Sequence, residues 1–253
     1  MKEVVKKIVS VALSVLIVTS VAVINITASA AKEKSYKMGL VDFDAVLSGT
    51  DMKAKNYQKM EKYISDANKE NDDIVVFPEY SLTGTKGDAV SVKKDTYVKD
   101  IAKLADDDDM YILFGATTKE DSKYYSSIVI CDPEGNVDTY DKTHLTDTEY
   151  KEGFSVGDTP YVLKTSFGTF GLALGNEFGE VAELGKYYYG YSCNGVIVCQ
   201  AYGYDTSDSK ALSQAEYDMY TQTYAYARMY SRYVATANLY TTNGNTSYFG
   251  ESN

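Results

Sequence analysis

Short apolar runs separated by polar turns recur along the chain. Asp73–Phe77 is apolar after its first residue and Gly195–Cys199 is a second apolar run, as in strands buried on both faces of a sheet. Further strands are predicted at Met38–Phe43, Tyr111–Thr117, Tyr124–Cys131, Tyr161–Thr165, Phe170–Leu174 and Tyr233–Asn238. The turn Asp132–Asn136 contains Pro and Gly and precedes another strand, which begins at Val137.

Amphipathic segments lie between these strands. In Lys53–Glu70, apolar residues recur at spacings of three and four, which places them on one face of a helix. These residues are Tyr57, Met60, Ile64 and Ala67. Further helices are predicted at Val92–Ala105 and Gly179–Tyr188. Because strands and helices alternate without an internal repeat or a low-complexity linker, the pattern indicates a single α/β domain.

The last predicted helix opens at Ser213, with Glu216 three residues later. This spacing is typical of a capping box, in which each side chain bonds the other residue's backbone N–H. Tyr217, Tyr220, Tyr224 and Ala227 then share one face of the helix. A tyrosine stripe at this period is more often core packing than a ligand platform, so we expect these residues in the core.

The first 30 residues have the pattern of a secretory signal peptide. Lysines at 2, 6 and 7 precede the apolar stretch Ile8–Ile26, and Ala28–Ala30 has the small-residue spacing of a cleavage site. We expect cleavage after Ala30, a mature domain of residues 31–253 and a secreted or extracytoplasmic location. The alternative is an uncleaved anchor, because 19 apolar residues approach the length of a bilayer span. Membrane contact is expected only in that case.

Composition narrows the class of protein. The chain carries 36 acidic against 25 basic residues, a net charge of −11, which disfavours binding to nucleic acid. Its three cysteines, Cys131, Cys193 and Cys199, are too few for a disulfide scaffold, and their pairing is left open. No Cys-x-x-Cys pair is present, and we expect neither a metal nor a cofactor.

Two loops carry candidate chemistry. Glu79 follows the buried strand Asp73–Phe77 directly after Pro78, at a strand end where α/β sheets form ligand sites. Lys142 lies in the segment Tyr140–Leu145, which precedes Glu149. Alone, each charged residue would more often be solvated at the surface.

Together these motifs resemble the carbon-nitrogen hydrolase family of nitrilases and aliphatic amidases. The resemblance rests on Phe77-Pro78-Glu79 and on Tyr140-x-Lys142-x-His144-Leu145, and it covers about Lys37 to Ser252. It also includes Asn56, Gly115, Asp132-Pro133-x-Gly135, Ala237-Asn238 and Phe249-Gly250-x-Ser252.

The resemblance implies an α-β-β-α sandwich with a Glu, Lys and Cys triad. In that chemistry a carboxylate takes the thiol proton, the thiolate attacks an amide or nitrile carbon, and the Lys cation stabilises the developing charge. It implies Glu79 as the base, Lys142 as the electrostatic stabiliser and Glu149 as a second, structural Glu, with Glu152 as a competitor. Asn176 and Phe154 are the implied substrate-binding residues.

The third element of the triad departs from the family pattern. After the strand Phe170–Leu174 the family has Cys, an aromatic residue and Asp, whereas this chain has Gly175, Asn176 and Glu177. We expect Gly175 to occupy the nucleophile position, because Gly adopts the strained backbone of such a turn at no Cβ cost. None of the three cysteines is an obvious substitute.

A second departure concerns the end of the sandwich. In the family the Gly-x-Ser element begins a strand that continues into a further hairpin, and this sequence stops at Asn253. We therefore expect the closing strands to be missing, either because the sequence is a fragment or because a sheet edge is unpaired.

Three functional interpretations follow. The first is an exported carbon-nitrogen hydrolase that works without a covalent intermediate. The second, which we favour, is a degenerate relative that binds a small amide, nitrile, carboxylate or amine without turnover, because losing a nucleophile costs orders of magnitude in rate. The third is a structural or interaction domain, which leaves Glu79 and Lys142 unexplained. A Ser-His-Asp hydrolase is a poor fit, since His144 is the single histidine. The family resemblance also implies a homo-oligomer.

Overall fold

The computed structural model describes residues 35–84, 89–230 and 232–253, and Tyr36–Asn253 forms one unit. The predicted signal peptide, its cleavage site and the anchor alternative lie outside the described residues. The described strands are β1 (Met38–Leu40), β2 (Ile74–Val76), β3 (Tyr111–Glu120), β4 (Lys123–Cys131), β5 (Val137–Asp141), β6 (Val162–Lys164), β7 (Thr169–Leu174), β8 (Gly195–Cys199), β9 (Gly203–Asp205), β10 (Tyr233–Ala237), β11 (Tyr240–Asn243) and β12 (Thr246–Phe249). The described helices are α1 (Met52–Glu70), α2 (Thr96–Asp107), α3 (Asp147–Glu152), α4 (Glu177–Glu180), α5 (Ala182–Gly190) and α6 (Ala211–Tyr230).

Two mixed sheets contain nine of the described strands, and β11, β12 and β9 form a small antiparallel sheet. The first has the order β1-β2-β3-β4-β5, with β1, β2 and β3 parallel and the β3-β4-β5 meander antiparallel. The second has the order β10-β8-β7-β6, with β10, β8 and β7 parallel. Since both sheets contain a parallel block, their strand ends bring separate loops to the same edge.

Apolar side chains between the layers show how the sheets and helices stack. Val76 and Leu113 of the first sheet share a buried cluster with Leu172 and Ile197 of the second. Helices α1 and α2 cover the other face of the first sheet, and helices α4, α5 and α6 cover the other face of the second. The layering is therefore the α-β-β-α sandwich expected from the sequence.

Local signals explain where helices begin and end. Helix α2 begins at Thr96 and not at Val92, because the Asp95 side chain accepts the backbone N–H groups of Tyr97 and Val98 as an N-cap. The helix predicted as Gly179–Tyr188 is two helices, α4 and α5, since Val181 has an extended backbone that interrupts the ladder.

The predictions for the last helix are wrong in two respects. Helix α6 begins at Ala211, after a turn in which Asp208 accepts the backbone N–H of Lys210, so Ser213 lies inside the helix and forms no capping box. The tyrosine stripe is also not in the core. Tyr217, Tyr220 and Tyr224 are 63%, 62% and 56% exposed.

The geometry of the helix explains this outcome. Ala215 and Met219 are its buried residues, and Tyr224 follows Ala215 by nine positions, which is about two and a half helical turns. The stripe therefore faces away from the sheet. Tyr226 packs on the domain instead, with its ring centroid 5.0 Å from that of Phe178. A helix with tyrosines on both sides fits either orientation by periodicity alone.

The last residues of the sequence lie against β10 and the loop after β1. Asn253 exchanges two backbone hydrogen bonds with Thr236, at 2.6 and 2.9 Å. The backbone N–H and hydroxyl of Ser252 both donate to Asp42, at 2.8 and 2.6 Å. The absence of closing strands stays a prediction.

Helix α5 packs very closely on β7 at Gly171. A Cβ at Gly171 would lie 2.3 to 2.6 Å from ring atoms of Tyr188, whose hydroxyl donates to the carbonyl of Leu172. We expect Gly171→Ala to destabilise the fold by about 1–3 kcal/mol, because the buried ring cannot retreat without moving the helix. Urea unfolding measures this change in stability.

The matched control is Gly190→Ala. A Cβ there meets nothing within 4 Å, so the stability of this variant should be unchanged or higher. Equal effects of the two changes would contradict this packing.

Candidate active site

Glu79 is held where β2 ends. The backbone N–H of Gly115 donates to the carbonyl of Pro78 at 3.0 Å, and the N–H of Glu79 donates to the carbonyl of Gln200 at 3.2 Å. A Cβ at Gly115 would lie 2.4 Å from the Cα of Glu79, so only glycine allows β3 to pass this close. Tyr80 follows with a φ of 60°, a left-handed conformation that costs a bulky residue roughly 1–3 kcal/mol. Both sheets therefore determine the position of this carboxylate.

Lys142 joins two carboxylates. Its Nζ lies 3.1 Å from Oε1 of Glu79 and 2.7 Å from Oε1 of Glu149. The three side chains are only 3%, 5% and 7% exposed, respectively for Lys142, Glu79 and Glu149. Ser126 donates its hydroxyl to Oε1 of Glu79 at 2.8 Å, and its carbonyl accepts the backbone N–H of Lys142. The segment after β5 that carries Lys142, here called the lysine loop, thus meets the segment of Glu79 at Ser126, near the beginning of β4.

A capping box orients Glu149. Thr146 caps α3 by accepting the backbone N–H of Glu149, and Oε2 of Glu149 accepts the backbone N–H of Thr146 at 2.7 Å. This arrangement leaves Oε1 for Lys142 and for the hydroxyl of Tyr80, which donates at 3.0 Å. Glu152, the alternative considered from the sequence, is exposed. The structure therefore places Glu149 against the lysine.

The two carboxyl groups differ in their acidity. Burial raises the pKa of Glu79, and the repulsion from Glu149 adds to this, while Lys142 and Ser126 lower it only in part. Burial also acts to raise the pKa of Glu149, but Lys142 and the hydrogen bonds from Thr146 outweigh it and the pKa is lowered. Burial acts to lower the pKa of Lys142, and the two carboxylates more than compensate, so it is raised. Glu79 is consequently the group suited to exchange a proton.

Gly175 lies directly beside this cluster, at the turn after β7. Its φ is 48°, in the left-handed region, and its N–H donates to the carbonyl of Cys199 at 3.0 Å. An ideal Cβ there would be 2.6 Å from Oε2 of Glu79 and 3.2 Å from Nζ of Lys142. Residues from three separate strand ends, Glu79, Lys142 and Gly175, are therefore brought together as the motifs suggested.

The hydrogen bonds leave two groups available at this point. Oε1 of Glu79 receives donors from Ser126 and Lys142, whereas within the described residues no hydrogen bond is made to Oε2. Lys142 uses two of its three N–H donors on the carboxylates. One acceptor of Glu79 and one donor of Lys142 thus remain, on the two groups that a Cβ at residue 175 would approach. An acceptor that can take a proton and a cation that stabilises an oxyanion are the needs of acyl-transfer chemistry.

Glu177 is an element of this site that sequence reasoning missed. Its Oε1 accepts the backbone N–H groups of Thr143 and His144 and the Thr143 hydroxyl, at 2.6 to 2.9 Å. Its Oε2 accepts the Tyr140 hydroxyl at 2.9 Å and the backbone N–H of Leu174 at 3.1 Å. The side chain is fully buried, so it fastens the lysine loop to the Gly175 turn. An acidic residue two positions after the turn was the available signal.

The remaining residues singled out from the sequence, Asn176, Phe154 and His144, form local contacts. Asn176 donates from its amide to Glu180 at 3.1 Å, and the N–H of Phe154 donates to the carbonyl of Glu149. Substrate binding by Asn176 and Phe154 stays a prediction. His144 lies beside Glu177 with a half-exposed ring, in keeping with hydrogen bonding in the lysine loop.

The three thiols are free and buried. Burial raises the pKa of Cys131 to about 12, and burial together with the charge of Glu79 raises that of Cys199. Neither is a reactive thiolate in this state. In the described part of the chain, no group of three His, Cys, Asp or Glu side chains could hold a metal ion. No helix among those residues is long and apolar enough to span a bilayer.

The comparison with protein families agrees with this geometry. The family described as carbon-nitrogen hydrolase matches residues 48–252. The chain belongs to the carbon-nitrogen hydrolase family.

One curated relative supports the assignment from part of the chain. A nitrilase from Pyrococcus abyssi is 32% identical over 111 residues, which are 40% of this chain and 40% of that protein. The match thus spans less than half the length of that relative.

Three solved structures illustrate the shared fold. A superfamily member from Xanthomonas campestris has a TM-score of 0.75 at 15% identity, covering 87% of this chain and 82% of that one. An amidase from Nesterenkonia has a TM-score of 0.70 at 16% identity, covering 89% and 84%. The glutamine-dependent NAD+ synthetase from Acinetobacter baumannii has a TM-score of 0.72 at 20% identity, covering 87% of this chain but 41% of the synthetase. The predicted nitrilase-like α/β fold is confirmed.

Replacing the buried cation tests the charge cluster of this member of the carbon-nitrogen hydrolase family. We expect Lys142→Met to cost about 3–5 kcal/mol of stability at neutral pH, because two buried carboxylates lose their counter-ion. Without the cation the folded pKa of Glu79 should rise further, and that of Glu149 should rise above the ordinary 4.5, so the folded variant binds protons more tightly. Its deficit should therefore be smallest below pH 4.5 and grow as pH rises through those pKa values. Urea unfolding across this range measures it.

The control for that experiment is an exposed pair. Lys59 lies 2.7 Å from Asp44, with side chains 34% and 53% exposed, so Lys59→Met should change stability by no more than about 1 kcal/mol. A Lys142→Met deficit that is equally small, or that does not vary with pH, would contradict the buried-charge description.

A second change tests the fastening by Glu177. Glu177→Gln keeps the shape but turns one acceptor into a donor that faces N–H or O–H groups, so we expect a loss of about 2–4 kcal/mol. Chemical denaturation measures the loss. Glu180→Gln, an exposed neighbour, should stay within about 0.5 kcal/mol. Similar values for both variants would rule out a structural role for the five hydrogen bonds.

Proposed function

We propose that this chain is an exported carbon-nitrogen hydrolase-family protein that has lost covalent catalysis and binds a small ligand at Glu79, Lys142 and Glu149. Its ancestral reaction is hydrolysis of an amide or nitrile carbon–nitrogen bond. The family assignment supports the fold and the broad chemistry, whereas export rests on the N-terminal sequence pattern.

The observation that carries the proposal is the identity of residue 175. A base and a cation converge on this turn, and a side chain there would point between them, yet the residue is Gly175. In the Nesterenkonia amidase, fluoroacetamide adds covalently at the active-site cysteine of a variant. We assign Gly175 to the corresponding position, which leaves this chain without a nucleophile to form an acyl-enzyme.

The remaining groups indicate the kind of ligand. A primary amide could donate from its nitrogen to Oε2 of Glu79 and accept at its carbonyl from Lys142. A small amide also binds a relative, since a variant of the Nesterenkonia amidase has been solved in complex with butyramide. A nitrile, carboxylate or amine engages only one of the two groups. We therefore rank a small amide first.

Restoring the sulfur tests this function. Gly175→Cys places a thiol beside Glu79. Oε2 of Glu79 must move, because it lies 2.6 Å from the position of the new Cβ, and a cysteine with a left-handed backbone costs roughly 1–2 kcal/mol. We expect the natural chain to be silent on an amide and nitrile panel and the variant to form an acyl-enzyme, detected by mass spectrometry. Acylation should rise with pH through an apparent pKa above 4.5, since the carboxylate form of Glu79 is the base.

The matched control is the double variant Gly175→Cys/Glu79→Gln, in which the thiol has no base and acylation should fall at least about 100-fold. Two outcomes contradict the proposal. Turnover by the natural chain that disappears on Cys193→Ala or Cys199→Ala would mean a different nucleophile. Turnover that survives both changes but is lost in Glu79→Gln would mean direct hydrolysis by an activated water.

A further inference from the structure

The sequence contains two Asn-Gly pairs, Asn194-Gly195 and Asn243-Gly244. In such a pair the backbone nitrogen of the glycine can attack Cγ of the asparagine side chain, because the glycine has no Cβ to hinder the approach. In a folded protein the attack also requires that the two residues are free to move toward each other. The fold therefore decides which of the two pairs reacts.

Asn243 and Gly244 lie at the tip of the hairpin formed by β11 and β12. Both residues are exposed, and Asn243 with Thr246 is the last pair of the two strands. The φ of Gly244 is 59°, and a Cβ there would meet nothing within 4 Å. The exposed end of a hairpin opens locally at a small cost in free energy. The glycine nitrogen therefore reaches the asparagine side chain without unfolding of the domain.

The side chain of Asn243 has a contact that favours the attack. The Ser48 hydroxyl donates to its Oδ1 at 3.1 Å. Negative charge develops on this oxygen when a nitrogen adds to Cγ, so a donor placed there stabilises the tetrahedral species. Among the described residues, no hydrogen bond holds the amide nitrogen, which is the group that must leave.

The other pair, Asn194-Gly195, is held between two strands. Oδ1 of Asn194 accepts the backbone N–H of Thr169 at 2.8 Å, and the N–H of Asn194 donates to the Thr169 carbonyl at 2.7 Å. Gly195 is buried at the start of β8, where it pairs with Phe170 of β7 and Tyr233 of β10. Its nitrogen can turn toward the side chain only if an inner strand of the second sheet opens. This pair is therefore protected by the fold.

We propose that Asn243 is a modification site, at which the folded protein converts asparagine to aspartyl and isoaspartyl forms without an enzyme. The nitrogen of Gly244 bonds to Cγ and gives up its proton, the amide nitrogen leaves as ammonia, and a succinimide ring forms. Water then opens either C–N bond of the ring and restores the glycine N–H. The net reaction consumes one water and releases one ammonia.

The two products differ in their effect on the hairpin. Both add a negative charge to a chain whose net charge is already −11. The aspartyl form keeps the backbone, and its carboxylate still accepts the Ser48 hydroxyl. The isoaspartyl form lengthens the backbone by one methylene group beside the pair of Asn243 and Thr246, so it disturbs the register of β11 on β12.

Peptide mapping by mass spectrometry on the full chain tests this site. After incubation in mildly alkaline buffer, which favours the deprotonated glycine nitrogen, the peptide with Asn243 should gain about 1 Da in two chromatographically separate products. The peptide with Asn194 should keep its mass. In Gly244→Ala the added methyl group hinders the attack, so conversion should slow at least about tenfold, a barrier higher by about 1.4 kcal/mol.

The same incubation in concentrated urea is the control for intrinsic reactivity, since both pairs should convert at similar rates in the unfolded chain. Circular dichroism verifies that the Gly244→Ala variant is folded. A folded natural chain in which Asn243 stays unmodified overturns the proposal. Equal conversion of Asn194 and Asn243 in the folded chain also overturns it, because the hairpin tip would then have no special reactivity. So does a Gly244→Ala variant that converts as fast as the natural chain.

Discussion

The structure around the candidate site depends on one buried cation shared by two carboxylates. Lys142 bridges Glu79 and Glu149 at 3.1 and 2.7 Å, almost out of contact with water. Because one cation faces two carboxylates, the cluster has an excess negative charge. Burial and the repulsion from Glu149 therefore raise the pKa of Glu79. Removing charged groups from water is costly unless their geometry and hydrogen bonds compensate. The capping box on Glu149 and the Ser126 hydroxyl on Glu79 provide that compensation.

The turn at Gly175 is held by hydrogen bonds of its backbone and of Glu177. Glu177 ties the turn to the lysine loop with five hydrogen bonds, and Gly175 itself bonds Cys199 on the neighbouring strand. These contacts do not involve a side chain at position 175. A chain in which this position lacks a thiol can therefore keep the arrangement of base and cation, because the backbone network supports it independently.

Tyrosine serves two different purposes in the outer helix layer. Tyr188 lies on the buried side of α5 and donates its hydroxyl to a carbonyl of β7, and Tyr226 packs on Phe178. The stripe of Tyr217, Tyr220 and Tyr224 lies on the opposite side of α6 and is not part of the domain core. A ring with a polar hydroxyl tolerates both environments, so amphipathicity is weak in this helix and its orientation is decided by the small residue Ala215 and by Met219.

From the sequence alone, apolar periodicity predicted most of the strands and helices in order, but not β9, β11, β12 or α3. The family resemblance of the segments around Glu79 and Lys142 implied which charged residues would meet. Glu79 and Gly175 lie where β2 and β7 end, and Lys142 lies where β5 ends. The candidate site is thus built from strand ends, where α/β sheets form ligand sites. Three features needed the tertiary structure: the role of Glu177, the outward face of α6 and the break at Val181. Each depends on partners distant in sequence, since a carboxylate collecting donors from two loops and a helix with aromatic residues all round have no local signature.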